Sequence, residues 1–174
     1  MAAARFTGSW PTLAAWGAGL VQLALGAGVI MGDVGPGPRA VGVGLATIGA
    51  ATLVAGVVWL ARGVRRHRLA LTLAVAGILA MAAALAVDPA HVSVAALAVG
   101  VALEIALAVS ILGLRRAAQP RRTTQAAPRR VGVSGLLVGA VVVAAAVTPA
   151  LASTEAGRLA PDHSRHTLEI GHQH

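Results

Sequence analysis

Residues 92–114 read VSVAALAVGVALEIALAVSILGL, and their one charged side chain is Glu104, near the middle. An apolar helix of about 20 residues is long enough to cross the roughly 30 Å hydrocarbon core of a bilayer. These 23 residues therefore predict a transmembrane helix. A carboxylate at the midplane costs roughly 2.5–3.5 kcal/mol on insertion scales, so we expect Glu104 to face protein or water rather than lipid.

The composition of the whole chain is that of a membrane protein. Of its 174 residues, 57% are hydrophobic and 11% are charged, whereas soluble domains carry about 25% charged residues. Alanine, valine, leucine and 21 glycines dominate, and such small side chains let helices approach closely in lipid. The absence of cysteine excludes disulfides, thiolate metal sites and a cysteine nucleophile. The bias toward alanine, glycine and arginine is typical of a GC-rich bacterial genome and resembles that of small actinobacterial membrane proteins.

Five apolar segments predict an all-α fold, a bundle of five transmembrane helices over residues 12–32, 40–61, 69–87, 92–114 and 131–152. Residues 1–152 then form one helical domain, and residues 153–174 form a flexible tail. A shift of 52 residues aligns the first helical hairpin with the second and places Thr52 opposite Glu104. This similarity indicates either a tandem pair of hairpins followed by a fifth helix, or chance agreement in a sequence built from few residue types.

The distribution of arginine predicts how the chain crosses the membrane. The net charge of +8 does not favour nucleic-acid binding, because the arginines lie in short connections between apolar segments. The positive-inside rule places these connections in the cytoplasm. With five spans, the N-terminus is then cytoplasmic and the C-terminus extracytoplasmic, in a bacterial cytoplasmic membrane. The topology-determining residues are Arg62, Arg65, Arg66, Arg68, Arg115, Arg116, Arg121, Arg122, Arg129 and Arg130.

Glu104 is the first candidate functional residue. Desolvation favours the neutral form of a buried carboxyl group, so the side chain suits either a proton or ion relay or a structural hydrogen bond between helices. Candidate intramembrane partners are Gln22, Thr52, Thr72 and Ser110, and a partner from another helix is favoured over Ser110. We also expect close helix contacts at two GxxxG motifs, over residues 28–32 and 135–139.

The second candidate site is a set of histidines and carboxylates on the extracytoplasmic side. Imidazole together with carboxylate suits Zn²⁺ or Cu²⁺, although short histidine-rich tracts are compositional evidence only. The alternative is a polar tail without a metal. The candidate ligands are Asp162, His163, His166, Glu169, His172 and His174 of the tail, with Asp88 and His91 from the second outer turn.

The chain carries no nucleotide-binding or hydrolase motif, so we expect no enzyme activity and no required cofactor. The leading hypothesis is a non-enzymatic accessory subunit that associates with lipid and with other membrane subunits or with itself, or a metal-handling protein. The alternative is a small transporter or channel subunit that uses Glu104. The fifth segment also resembles a late signal peptide with a cleavage point after Ala152, but an ordinary last span is the favoured interpretation.

Overall fold

The computed structural model describes residues 10–32, 35–62, 67–118 and 133–158. Within these residues the chain is all-helical, and its first five helices are each long and apolar enough to cross a membrane. The predicted fold class is therefore confirmed, and the length and composition of the helices indicate a membrane protein. The helices are α1 (Trp10–Met31), α2 (Pro36–Arg62), α3 (His67–Val87), α4 (Val94–Ala118), α5 (Val133–Ala152) and a short α6 (Glu155–Arg158).

Proline and hydroxyl side chains define several helix ends. Pro36 and Pro38 lie in the first turn of α2, where a missing N–H costs no intrahelical hydrogen bond. Ser93 precedes α4, and its Oγ accepts a hydrogen bond from the Ala96 amide at 3.3 Å, as an N-cap residue does. Thr154 begins α6 in the same way. The short α6 follows the expected boundary at residue 152 and contacts α1 and α5.

Helix α1 is the centre of the bundle. About two thirds of its span (67%) is buried, against 22–33% of the other four spans. The helices α2, α3, α4 and α5 surround α1 in chain order, and each of them contacts α1. Helices that are consecutive in the chain also contact each other, whereas the described parts of α5 and α2 do not. The hydrophobic first helix is therefore surrounded by protein, while the other four present wide apolar faces outward.

The apolar interior has one cluster at each end of the bundle. The arginine end, which we define by Arg62, Arg68 and Arg116, has a cluster of small side chains with Trp59 and Leu107. The other cluster is larger and includes Leu25, Leu45, Met81 and Val147. Trp59 lies near the end of α2 and is only 4% exposed. Its indole fills the space left by the alanines around it.

Two glycine pairs bring α1 and α2 into backbone contact. A Cβ atom on Gly49 would lie 2.8 Å from the Gly19 carbonyl oxygen, and one on Gly26 would lie 2.7 Å from the Gly42 carbonyl oxygen. The reverse substitutions meet the same obstacle. These pairs lie seven residues apart on each helix, so the GxxxG pattern does not include them. Of the glycines in the two predicted motifs, Gly139 of α5 packs against the Leu13 side chain of α1.

The pattern of buried positions agrees only in part with the tandem-repeat hypothesis. Under the shift of 52 residues, three buried positions of α2 correspond to buried positions of α4, whereas buried Gly42 corresponds to exposed Val94. The repeat therefore stays a prediction. The matching pairs are Thr52 with Glu104, Ala55 with Leu107, and Trp59 with Ile111.

Candidate functional site between Gln22 and Glu104

A hydrogen bond between Gln22 and Glu104 lies at the middle of the bundle. Gln22 Nε2 of α1 donates to Glu104 Oε1 of α4 at 2.6 Å, across 82 residues of sequence. Both side chains have 0% exposure. Gln22 was one of four candidate partners for the carboxyl group, and the structure selects it. The expectation that Glu104 faces protein rather than lipid is met.

Thr52 and Thr72, the two threonine candidates, form hydrogen bonds within their own helices. Thr52 is fully buried, but its Oγ1 donates to the Ile48 carbonyl at 2.9 Å. Thr72 is exposed and donates to the Arg68 carbonyl at 3.0 Å. A hydroxyl bonded to the preceding turn satisfies its own donor without a second helix. The amide of a glutamine in the middle of a helix is less able to bond to its own backbone in this way, which favours Gln22 as the interhelical partner.

Gly77 of α3 closes the site from a third helix. A Cβ atom at this position would lie 2.7 Å from Glu104 Oε1 and would overlap Gln22 Nε2. One turn earlier on α4, a Cβ on Gly100 would lie 2.8 Å from the Met81 sulfur. The absence of a side chain at Gly77 therefore makes room for the amide and the carboxyl group together. The sequence contains no signal that would have singled out this glycine among 21.

Two oxygen atoms of the pair have no hydrogen-bond partner among the described residues. They are Gln22 Oε1 and Glu104 Oε2. A protonated carboxyl group has one O–H donor, and an amide oxygen is an acceptor. A neutral Glu104 can therefore offer its proton toward Gln22 while it accepts from the amide nitrogen, whereas an ionised carboxylate leaves both oxygens as acceptors. The arrangement accommodates a neutral carboxyl group.

Asp88 and His91, from the predicted outer set, lie next to each other in the turn between α3 and α4. His91 Nδ1 is 2.8 Å from Asp88 Oδ1 and 3.1 Å from Oδ2. Asp88 is nearly buried, and the His91 side chain is 35% exposed. No group of three or more metal-ligating side chains occurs within the described ranges. The remaining candidate ligands (Asp162, His163, His166, Glu169, His172 and His174) lie outside those ranges, so metal binding stays a prediction.

The topology-determining arginines are described only in part. Arg62, Arg68 and Arg116 are exposed at the arginine end of the bundle. Arg115 lies on α4, and the other six lie outside the described residues. At the opposite end, Ser153 Oγ is 2.8 Å from Ser93 Oγ. The point of cleavage considered after Ala152 thus lies between α5 and a serine that contacts the start of α4.

Comparison with known proteins gives no relative from which to transfer a role. No protein-family profile matches the sequence. No curated protein is significantly similar to it. No solved structure is significantly similar to it. The function must therefore be argued from the bundle and its buried pair.

Proposed function

We propose that the chain is a non-enzymatic subunit of a membrane assembly, with the Gln22–Glu104 pair as the contact that fixes its fold. The proposal places it in a bacterial cytoplasmic membrane with a cytoplasmic N-terminus. That orientation rests on the positive-inside rule applied to the arginine-rich connections. Its partners are the lipid bilayer and other membrane subunits or further copies of the chain.

The observation that carries this proposal is the complete burial of Glu104 against Gln22. A carboxyl group that takes up and releases ions needs a route to water, whereas both of these side chains have 0% exposure. Three helices meet at the pair, since α1 supplies the amide, α4 the carboxyl group and α3 the glycine that makes room for them. This geometry suits a contact that selects one packing of the helices.

The outer faces of the bundle supply the second part of the argument. Only 22–33% of each of the four peripheral spans is buried, and these spans present large apolar side chains outward, including Leu79, Val109 and Val141 at 62–68% exposure. Lipid tails can cover such faces, and so can the helices of other subunits. A small bundle with this much outward apolar surface fits a component of a larger membrane complex.

The test combines intact mass measurement with a substitution at the buried pair. The full-length protein, gently extracted from its own membranes, should have a partner subunit or further copies in a fixed ratio by native mass spectrometry. Glu104→Gln keeps a hydrogen-bonding group that can pair with the Gln22 amide, so this variant should keep the same ratio. Thr72→Val, at an exposed threonine that bonds its own helix, is the matched control. A protein that always leaves the membrane alone as a monomer would contradict the proposal.

The second candidate function is proton-coupled transport, and the unpartnered oxygens favour it. Glu104 Oε2 and Gln22 Oε1 have no described partner. Because unpaired buried polar atoms are costly, a second state in which they meet water or another partner would be favourable. Proteoliposomes containing the full-length chain and an internal pH-sensitive dye distinguish the two candidates. Proton flux that Glu104→Gln abolishes would establish transport and overturn the subunit proposal. Flux no faster than in empty liposomes would exclude proton conduction by the chain alone.

A further inference from the structure

A groove runs between α2 and α3 on the outside of the bundle, in the half that contains the arginine end. Its volume is about 800 Å³. Small and branched apolar side chains of α2, including Ala51, form its floor, and Leu69 and Leu73 of α3 form the other wall. Trp59 lines it near one end, and among the described residues Arg62 is the one charged side chain that lines it.

The extent of the groove corresponds to one leaflet of a membrane. It begins at Thr47, near the middle of α2, and ends at Arg62, the last residue of that helix. With a rise of about 1.5 Å per residue, these positions lie roughly 22 Å apart. Half of a bilayer, with its headgroup region, is about 20–22 Å thick. A transmembrane helix from another chain would need a surface along the whole length of α2, so the half-length groove favours a lipid.

The charge at the end of the groove selects the kind of lipid. Arg62 is exposed and is the last residue of α2, so it lies at the level of the headgroups when α2 spans a bilayer. A guanidinium group forms strong, often paired hydrogen bonds with phosphate oxygens. A headgroup with a net negative charge gains this attraction, whereas a zwitterionic headgroup carries its own cation and gains less.

We propose that this groove binds one anionic phospholipid, with an acyl chain along α2 between Ala51 and Leu73 and its phosphate at Arg62. The site is independent of the Gln22–Glu104 pair, which lies inside the bundle. The attraction of a single arginine to an anionic headgroup adds about 1 kcal/mol to the binding free energy. This corresponds to about a five-fold preference for an anionic over a zwitterionic lipid.

The test uses Trp59 as the reporter of lipid in the groove. Trp10→Phe and Trp16→Phe leave Trp59 as the sole indole, and neither replaced indole nitrogen has a hydrogen-bond partner among the described residues. The full-length chain is reconstituted in phosphatidylcholine vesicles doped with brominated phosphatidylglycerol or brominated phosphatidylcholine at equal mole fraction. Bromine quenches a nearby indole, so the fluorescence of Trp59 should show about a five-fold preference for phosphatidylglycerol.

Matched variants separate the groove from the general positive surface. Arg62→Gln should remove the preference, whereas Arg68→Gln, at an exposed arginine that does not line the groove, should keep most of it. Ala51→Leu fills the groove and should reduce quenching by both lipids, while Ala106→Leu at an exposed alanine of α4 should not. Native mass spectrometry of the chain with its tryptophans intact gives a second readout, in which phosphatidylglycerol adducts should outnumber phosphatidylcholine adducts and Arg62→Gln should equalise them.

Three results would overturn the proposal. Equal quenching by the two lipids would show that Arg62 does not select the headgroup. An equal loss of preference in Arg62→Gln and Arg68→Gln would assign it to the surface potential rather than to the groove. Failure of either lipid to quench, together with a dimeric mass, would show that a second copy of the chain fills the groove.

Discussion

The two main contacts of the central helix are made in different ways. Toward α2, α1 presents Gly19 and Gly26, and the backbones of the two helices touch at the facing glycines Gly49 and Gly42. Toward α4, α1 presents side chains, with the Gln22–Glu104 hydrogen bond at the centre. One contact is therefore specified by the absence of side chains and the other by a matched polar pair.

This difference indicates which of the two contacts can adjust to a substitution. A side chain can change rotamer when its neighbour changes, at a cost of order 1 kcal/mol. A carbonyl oxygen in the middle of a helix cannot move without shifting the whole helix. In lipid, close packing is a main source of helix association. We therefore expect the α1–α2 contact to be the less tolerant of substitution, and the α1–α4 contact to show the stronger coupling between positions.

The largest effect is expected from Gly49→Val. Its Cβ would lie 2.8 Å from the Gly19 carbonyl oxygen, so α2 must move away from α1 along much of its length. Overpacking of this kind costs about 3 kcal/mol. Unfolding in mixed micelles of a mild and a denaturing detergent, monitored by circular dichroism, measures the change in the free energy of unfolding.

Gly44→Val is the matched control for this substitution. Gly44 lies on the same helix, but a Cβ there meets no atom of the described residues within 4 Å. The same side chain added at this exposed position should change the free energy of unfolding by less than about 1 kcal/mol. Equal losses at Gly44 and Gly49 would show that the loss at Gly49 does not come from the backbone contact with α1.

A smaller and more informative effect is expected at Gly77. The Cβ introduced by Gly77→Ala occupies the place of the Gln22 amide, so the hydrogen bond to Glu104 must break or shift, at a cost of about 2 kcal/mol. In a Gln22→Ala background that amide is absent, and the same change should cost about 1 kcal/mol less. Thermal unfolding of the four proteins of this cycle in detergent measures the coupling. Strict additivity would mean that Gly77 does not act through the Gln22 amide.

The sequence was informative about spans and much less so about contacts. Apolar length located all five helices to within a few residues, because the bilayer thickness sets that length. The cost of a charge in lipid likewise predicted that Glu104 faces protein or water rather than lipid. Which of several polar residues it meets depends on how the helices rotate about their axes, and nearly uniform Ala/Val/Leu faces do not determine that rotation. The facing glycines and Gly77 were missed for the same reason.

The smallest effect is expected from Glu104→Gln, which tests whether the α1–α4 contact needs a carboxyl group or only a hydrogen-bonding partner. An amide of nearly the same shape can accept from Gln22 Nε2 and offer an N–H toward Gln22 Oε1, which has no partner among the described residues. Interhelical hydrogen bonds in membranes contribute about 0.6 kcal/mol on average, so the change should lie within that amount. Glu104→Ala leaves the amide unpaired beside a cavity and should lose at least about 2 kcal/mol. Thermal unfolding of both variants in detergent at one pH checks the order, and a Gln variant as unstable as the Ala variant would show that the carboxyl group itself is required.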